Sequence, residues 1–441
     1  MRVSALVTIT VLLASAACNS SSTDQRVDAS TELKPVEIDV SAETASAELL
    51  DAISDLVGSA SIVAIGESRH DTREQFLIKA TIVKILITEF DYRTLVLEES
   101  FPHALSLDEY VTTGRGDIRS SLTSLAGWYL WDTEEMVDLL RWIREYNASV
   151  ADDEMVRVLG MDVTAPFKGI ASVASFAEVL DPDGGWLSRD FGADLHEGDF
   201  WPTTLDRYRL LDDQRSSLIG KNLDDLAKLV STAVSENEVG SASNVSLMQI
   251  QAEIGQLGHS MFEAESFAEI GARREHGMAR AIEWIDNEIA GSGKMIIWTH
   301  NLHAAKTTFL MPQMGSETFT PMGVLLSRSY GSKYRAIGGT FGAGYYSPEF
   351  PPGERTFLAT DRSTVDGMMS ELTEHEFLLV FRRDTMLGET IQWYSEEREW
   401  RMQDSTAFLS PFEGFDAIYF VPYVSRAALT PGALERYSSQ N

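Results

Sequence analysis

The sequence is nearly without cysteine, because Cys18 is the only one among its 441 residues. No disulfide can form within the chain, so the fold has to be stabilised by its core. Basic residues are also scarce: 36 Lys and Arg stand against 67 Asp and Glu, and the net charge is −31. A chain of this charge repels phosphate backbones, and the sequence therefore predicts no nucleic-acid partner.

Several common catalytic motifs are absent. The sequence has no Gly-x-Ser-x-Gly elbow, no His-Glu-x-x-His, no Walker A loop and no Gly-x-Gly-x-x-Gly after an apolar run. These absences argue against a serine hydrolase with a nucleophile elbow, a zincin, a P-loop nucleotidase and a Rossmann dehydrogenase. Beyond the N-terminal segment, no apolar run is long enough to span a bilayer.

The N-terminal segment has the pattern of an export signal. Met1 and Arg2 precede the apolar run VSALVTITVLLASAA, and Cys18 follows directly. A basic start, a short apolar run and small residues before a cleavage site are typical of secretory signals, and a cysteine at that point resembles a bacterial lipobox. We predict a lipoprotein-type signal peptide over residues 1–18, with Cys18 lipidated and anchoring the chain to the bacterial cell envelope. Secretion or release into the periplasm without lipidation is the alternative.

The rest of the chain divides into a tether and a folded body. Residues 19–40 are polar and serine-rich, which is typical of a flexible tether. From 41 to 436, short β-branched runs alternate with amphipathic helical patterns, so we predict an α/β fold with a mainly parallel central sheet flanked by helices. The predicted strands are Ser61–Glu67, Thr94–Glu99, Val156–Asp162, Lys294–His300, Phe377–Arg382 and Ala417–Pro422. A helix-rich lobe at about 201–290 is inserted in the middle.

Titratable residues follow several of these strands. Glu67 ends the first strand and His70 comes three residues later, while Glu98 closes the second. The run IIWTHNLH delivers His300 and His303 after the fourth strand. Reactive groups of parallel sheets gather where strands end, so these five residues are predicted to line one crevice. Each of them alone has a structural interpretation, such as a surface ion pair or a helix cap.

The same segments resemble the erythromycin esterase family. GESRHDTRE (66–74) is similar to the family pattern Gly-Glu-x-x-His-Gly-x-x-Glu, LVLEES to its strand ending in glutamate, and WTHNLH to its Trp-x-His-Asn-x-His. Four further segments resemble family segments in the expected order: WYLWDTEEMVDLLRWIREYN, VLGMD, RREHGMARAIEWI and YGSKYRAIGGTFGAG. The resemblance covers about residues 61–421 and implies an esterase, with macrolides and antibiotic resistance as the family's association.

The resemblance also implies roles for single residues. The catalytic set is His70, Glu67, Glu98, His300 and His303, and the expected substrate-binding set is Lys79, Arg274, Asp71, Glu74 and Trp131. Two positions depart from the family, because Asp71 replaces a glycine and Lys79 replaces the arginine of the resistance enzymes. Lysine keeps the charge but lacks the planar fork of arginine. Trp131 has core packing as its alternative.

We therefore predict that water, deprotonated by His70, attacks an ester or macrolactone without a covalent intermediate, a metal or a cofactor. Glu67 or Asp71 would hold the imidazole tautomer, and His300 or His303 would stabilise the oxyanion together with a cationic side chain. Two alternatives stay open: a metal-dependent hydrolase using the same histidines and glutamates, and a non-catalytic ligand-binding lipoprotein of the envelope. The predicted partners are a small-molecule ester or lactone and the membrane reached by the lipid anchor; no protein partner is identifiable.

Overall fold

The computed structural model describes residues 33–125, 130–195, 201–235, 242–290, 293–312, 318–346, 355–382, 385–386 and 388–440. The predicted signal peptide, Cys18 and residues 19–32 of the predicted tether lie outside this part of the chain. The folded body begins earlier than predicted. Leu33 and Ile38 are buried, and Val36–Glu37 pairs with another strand, because this short segment carries apolar side chains that cover a sheet edge.

The strands are β1 (Val36–Glu37), β2 (Ile62–Ile65), β3 (Tyr92–Ser100), β4 (Arg157–Asp162), β5 (Lys294–Trp298), β6 (Phe309–Leu310), β7 (Thr318–Phe319), β8 (Tyr334–Tyr346), β9 (Arg355–Phe357), β10 (Phe377–Val380), β11 (Arg398–Met402), β12 (Ser405–Leu409) and β13 (Ala417–Val424). The helices are α1 (Ala47–Val57), α2 (Arg73–Phe90), α3 (Phe101–Thr113), α4 (Ile118–Thr123), α5 (Glu134–Ser149), α6 (Ile170–Leu180), α7 (Trp201–Arg209), α8 (Asp213–Ser235), α9 (Ala242–Phe262), α10 (Phe267–Ile285), α11 (Asn301–Ala304), α12 (Met322–Tyr330), α13 (Val365–Ser370), α14 (Gly388–Ser395), α15 (Pro411–Gly414) and α16 (Pro431–Gln440).

The central sheet is mainly parallel, as the sequence predicts. Its order is β1-β10-β13-β8-β2-β5-β3-β4, and the run from β13 to β4 is parallel throughout. Strands β10 and β1 add antiparallel at one side, and β9 pairs antiparallel with β8. Helices cover both faces, so β2 is buried along its whole length: Ile62 and Ala64 point into one core, and Val63 and Ile65 into the other.

Strand β8 was not among the predicted strands. Its sequence, YRAIGGTFGAGYY, is rich in glycine, which has low strand propensity. The glycines are required by packing. A Cβ on Gly338 would lie 2.7 Å from the Trp400 ring, and one on Gly339 would lie 2.3 Å from the Tyr419 hydroxyl. Large side chains that press against this strand leave room only for hydrogen at these positions.

Two other regions bear on the site. Between β4 and β5 the described residues form helices α6 to α10 and no strand, and α9 packs between α8 and α10. A second sheet, which the sequence did not suggest, is antiparallel with the order β11-β12-β6-β7. The described part of the chain contains no helix with the length and apolar character needed to cross a membrane.

Candidate active site

The carboxyl ends of β2, β5 and β3 are neighbours in the sheet, and the predicted catalytic residues meet there. Glu67 and His70 follow β2, Glu98 lies near the end of β3, and His300 and His303 follow β5. The rings of His70 and His300 have their centroids 4.8 Å apart. Parallel strands deliver their ends to one edge, which is why residues distant in sequence share this place.

A buried ion pair orients His70. Its Nδ1 lies 2.7 Å from Glu67 Oε1, and Lys79 Nζ donates to Glu67 Oε2 at 2.6 Å. A carboxylate can only accept, so Nδ1 carries the proton and Nε2 keeps its lone pair. Lys79 is wholly buried, and this burial lowers its pKa to about 8 against the opposing attraction of Glu67. It also donates to the Thr299 carbonyl at 3.1 Å and lies over the Trp298 ring.

Gly66 permits the close approach of the two histidine-bearing loops. A Cβ at this position would lie 2.3 Å from Asn301 Oδ1. The Asn301 side chain bonds both backbone groups of Gly339 on β8, donating to its carbonyl at 2.7 Å and accepting from its N–H at 2.9 Å. The Asn301 backbone N–H donates to the Glu67 carbonyl at 2.8 Å. These contacts fix the loop after β5 against the loop after β2.

Glu98 connects the strand ends. Its Oε2 accepts from the Thr299 hydroxyl at 2.7 Å and from the His300 backbone N–H at 2.8 Å. Its Oε1 lies 2.9 Å from His303 Nε2 and accepts from Arg274 Nη2 at 3.2 Å. Burial opposes ionisation of this group, but the charge and hydrogen bond of His303 and the charge of Arg274 outweigh it and hold the pKa of Glu98 well below its usual range. Glu98 is therefore an anion that organises its neighbours.

His303 is clamped between two carboxylates. Nδ1 lies 2.6 Å from Glu275 Oε1, and Nε2 lies 2.9 Å from Glu98 Oε1, so both ring nitrogens donate. Burial alone would lower its pKa, but Glu275 and Glu98 raise the pKa to about 10. His303 is a fixed cation and has no lone pair with which to accept a proton.

His300 is neutral. Its Nδ1 accepts from the Leu302 backbone N–H at 3.1 Å and so caps α11, and its Nε2 donates to the Ser68 carbonyl at 3.1 Å. Burial and then the nearby His70 lower the pKa of His300 well below its usual range. Both ring nitrogens are used in these bonds, which leaves His300 as a structural support of the loop beside His70.

Arg274 brings a second cation to the site. Its Nε and Nη2 donate to Asp162 at 3.1 Å and 2.6 Å, and Asp162 ends β4. Burial lowers its pKa, but Asp162 and Glu98 outweigh burial and the pKa rises. Its Nη1 lies 3.5 Å from His303 Nε2. Both of those nitrogens carry hydrogen when His303 is charged, so that contact is not a hydrogen bond and Nη1 keeps its donor capacity.

These groups line a cavity of about 260 Å³. The polar wall consists of His70, Glu98, Arg274, Glu275, His300, His303 and Gln403. The rest of the lining, called the apolar wall here, is largely apolar and consists of Trp201, Phe267, Ile270, Gly271, Leu302, Met311 and Phe319. Phe267 is 67% exposed, so a large apolar side chain lies open at this cavity. The arrangement suits a ligand with an apolar body and a polar reacting group.

Four residues of the predicted substrate-binding set lie elsewhere. Lys79 is beneath Glu67, and Asp71 pairs with Arg69 Nε at 2.8 Å. Glu74 accepts from the backbone and hydroxyl of Ser425. Trp131 is 1% exposed and packs on Phe76 and Trp298, so the core-packing alternative describes it. Arg274 alone of the five lines the cavity.

Three residues of the site were not predicted. Asp162 ends the predicted third strand and could have been found by the reasoning that selected Glu67 and Glu98. Glu275 neighbours Arg274, but nothing in the helix sequence says that it faces His303. Gln403 lies in the turn between β11 and β12, and no sequence signal connects that turn with His70.

The metal-binding alternative can be tested against the donors. Among the described residues, no group of three or more His, Cys, Asp and Glu side chains is arranged to hold a metal ion. A histidine ligand needs a free lone pair. His303 has none because both of its nitrogens donate, and His300 uses its one lone pair to accept from Leu302. The described side chains therefore do not fit a metal centre in this arrangement.

The fold and site define an α/β protein with a histidine–carboxylate centre at the carboxyl edge of a parallel sheet. The model of the Erythromycin esterase family matches residues 87–424, which is most of the chain, and the protein therefore belongs to the erythromycin esterase family. That match begins after the segment that carries Glu67 and His70. Family membership indicates a hydrolase.

Individual proteins and solved structures that resemble this chain include members of the same family. Erythromycin esterase type II of Escherichia coli is 22% identical over 311 residues, 67% of this chain and 72% of that protein. A putative hydrolase of Bacillus subtilis is 23% identical over 56% of each chain. A Bacillus cereus crystal structure superposes with a TM-score of 0.76 at 25% identity, covering 90% of this chain and 96% of the other. A mutant of the erythromycin esterase EreC in its open conformation superposes with a TM-score of 0.69 at 18% identity, covering 90% and 98%.

Proposed function

We propose that the protein hydrolyses a small-molecule ester or lactone with water activated by His70. One observation carries the proposal: of the three histidines that line the cavity, His70 alone has a ring nitrogen without a hydrogen-bond partner in the described part of the chain. Glu67 holds the Nδ1–H tautomer, so the unprotonated nitrogen is Nε2. This is the state that a general base requires.

The reaction needs no covalent intermediate. His70 Nε2 takes a proton from water while the water oxygen attacks the ester carbonyl, and the carbonyl oxygen becomes an oxyanion. Arg274 Nη1 donates to that oxygen, and the charge of His303 close by adds to its stabilisation. When the tetrahedral intermediate collapses, the C–O bond breaks and imidazolium His70 returns the proton to the leaving alkoxide. The products are a carboxylic acid and an alcohol.

The remaining charges hold these groups in place. Lys79 neutralises Glu67, so the carboxylate can orient the imidazole without taking its proton. Glu98 fixes the loop that carries His300 and His303. The apolar wall supports a substrate with an apolar body beside its ester group. Lysine at position 79 acts through Glu67 and not on the substrate, so its difference from the family's arginine does not by itself exclude a macrolide.

The test is turnover of a panel of esters and lactones by the parent protein and by His70→Gln. Glutamine can hydrogen-bond water but cannot accept its proton, so kcat/KM should fall by about 10²–10⁴-fold, which is the usual contribution of a general base. The side chain of His70 is 17% exposed and is bonded to buried Glu67, so the free energy of unfolding should fall by about 1–2 kcal/mol, the cost of one buried hydrogen bond. A variant within tenfold of the parent would show that the base lies elsewhere.

We also propose that the protein works in the bacterial cell envelope, anchored by a lipid on Cys18. The support is the N-terminal pattern of a basic start, an apolar run and small residues before the single cysteine. Membrane fractionation of cells expressing the parent or Cys18→Ser tests this. The parent is expected in the membrane fraction and the variant in the soluble fraction, and equal partitioning of the two would contradict the anchor.

A further inference from the structure

The turn between β11 and β12 lies on the loop that carries His70. Its two residues are Gln403 and Asp404, and together they contact each of the three residues that follow Glu67. The Gln403 backbone N–H donates to the Ser68 carbonyl at 2.6 Å, and Arg69 Nη1 donates to Asp404 Oδ1 at 2.7 Å. The His70 backbone N–H donates to the Gln403 side-chain Oε1 at 3.1 Å.

Gln403 has an unusual backbone conformation. Its φ is +55°, and the only other non-glycine residue of the described chain with positive φ is Asp91, which ends α2. Two-residue hairpin turns that need positive φ favour glycine, asparagine or aspartate. A residue with a longer side chain is disfavoured there, because its Cβ lies too close to the following carbonyl oxygen. Unfavourable backbone conformations cluster at functional sites, which directs attention to what the side chain does.

The side-chain amide has one end occupied and one end open. The atom facing the His70 N–H must be the oxygen, because only the oxygen accepts. Nε2 therefore points away from that N–H, and it has no hydrogen-bond partner within the described residues. Gln403 is partly buried and lines the same cavity as His70, His300 and Arg274. The site thus contains an oriented donor that nothing in the described protein uses.

We propose that Gln403 is a substrate-binding residue, whose Nε2 donates to an oxygen of the ester group that His70-activated water attacks. This inference rests on the proposed function. The amide is neutral and fixed through its oxygen, so it directs a hydrogen bond without adding charge to a site that already holds Arg274 and His303. Through the His70 N–H the same side chain ties the position of the substrate oxygen to that of the base.

The experiment compares three variants by kcat/KM on every ester that the parent cleaves, together with unfolding in urea. Gln403→Glu keeps an acceptor for the His70 N–H and loses the donor, whereas Gln403→Met loses both. Gln403→Gly removes the side chain and fits the positive φ, so it should be at least as stable as the parent. All three are expected to lose at least tenfold in kcat/KM; removal of one oxyanion donor typically costs about 10²–10³-fold.

Two results would overturn the inference while leaving ester hydrolysis intact. If Gln403→Glu stays within twofold of the parent and Gln403→Met does not, the side chain acts only through the His70 N–H. If Gln403→Gly folds and stays within twofold, the side chain has no role in turnover.

A parent that cleaves no ester would refute the proposed function, and the role of Gln403 Nε2 as a donor to a ligand oxygen is then tested by binding alone. The probe is then octylphosphonate, whose tetrahedral oxygens offer acceptors beside an apolar chain, with binding measured by calorimetry. Binding to the parent that weakens at least tenfold in Gln403→Gly supports the donor role. Equal binding by both, or no binding by the parent, overturns it.

Discussion

Two groups of charged side chains lie at the cavity, and similar residues have different roles in the two groups. The base cluster consists of Lys79, Glu67 and His70, in which one cation and one carboxylate balance beside an imidazole. The cation cluster consists of Arg274, Asp162, Glu98, His303 and Glu275, in which three carboxylates hold two cations. Each cluster holds a histidine by a carboxylate at Nδ1.

The difference lies at the other ring nitrogen. Glu98 occupies Nε2 of His303, so that ring carries two protons and a permanent charge. His70 has a single carboxylate, already neutralised by Lys79, and its Nε2 remains open among the described residues. The number of carboxylates around an imidazole thus separates a base from a cation, and sequence spacing does not report that number.

Removing the charge from the cation cluster should have the largest effect on stability. His303→Gln leaves Glu98 and Glu275 buried without their shared cation, and breaking a buried pair costs about 3–5 kcal/mol. Urea unfolding at pH 6 measures this. The matched control is His300→Gln, which removes a neutral ring with no carboxylate on it and should cost about 1–2 kcal/mol. Equal losses in the two variants would contradict a charged His303.

The pH dependence of stability in the parent and in His303→Gln is a second test of the charge on His303. The folded state keeps the His303 proton up to a pKa of about 10, against 6.5 for ordinary histidine. Its stabilising contribution is therefore complete below pH 6.5 and is lost progressively as pH rises to about 10. The stability difference between parent and His303→Gln should shrink over that window, by at most about 1.4 kcal/mol per pH unit. A constant difference would indicate a neutral His303.

The base cluster should show a pH dependence of the opposite sign. Lys79 releases its proton near pH 8 in the folded state and near 10.5 when unfolded. The unfolded state then binds more protons between these values, so stability rises with pH. Lys79→Arg stays protonated throughout and lacks the rise. Urea unfolding from pH 7 to 10 should show that the free energy of unfolding of the parent rises relative to that of Lys79→Arg, by at most about 1.4 kcal/mol per pH unit.

Much of the fold was predictable, because each of the six predicted strands is a strand of the central sheet. Apolar runs buried on both faces leave a clear pattern, and parallel pairing explains why Glu67, Glu98 and His300 meet. The hydrophobic pattern did not predict a strand whose residues are determined by contacts with distant parts of the chain. Strand β8 is glycine-rich because Trp400 and Tyr419 fill the space beside it, and neither contact is visible in the local sequence.

The site was predictable in its residues and less so in their roles. His303 appeared as a candidate for catalysis, and only the position of Glu275 on α10 shows that it is a doubly held cation. Gln403 is 333 positions from His70 in the chain, and its contact depends on a small sheet that the sequence did not indicate. Polar contacts of this kind are set by tertiary geometry and leave no local periodicity.

The smallest expected effect concerns Asp71, which stands beside His70 in sequence and was one of two candidates for orienting it. Its carboxylate faces Arg69, with Oδ1 2.8 Å from Nε, and Arg69 also pairs with Asp404 at 2.7 Å. The His70 ring is held by Glu67. Asp71→Asn should therefore change kcat/KM by less than about threefold, or about 0.6 kcal/mol, and leave the midpoint of the pH–rate profile in place. Glu67→Gln, the matched control, should lose at least tenfold because the amide cannot stabilise the imidazolium. A tenfold loss in Asp71→Asn, or a shifted midpoint, would assign the orienting role to Asp71 and remove the distinction on which the base cluster rests.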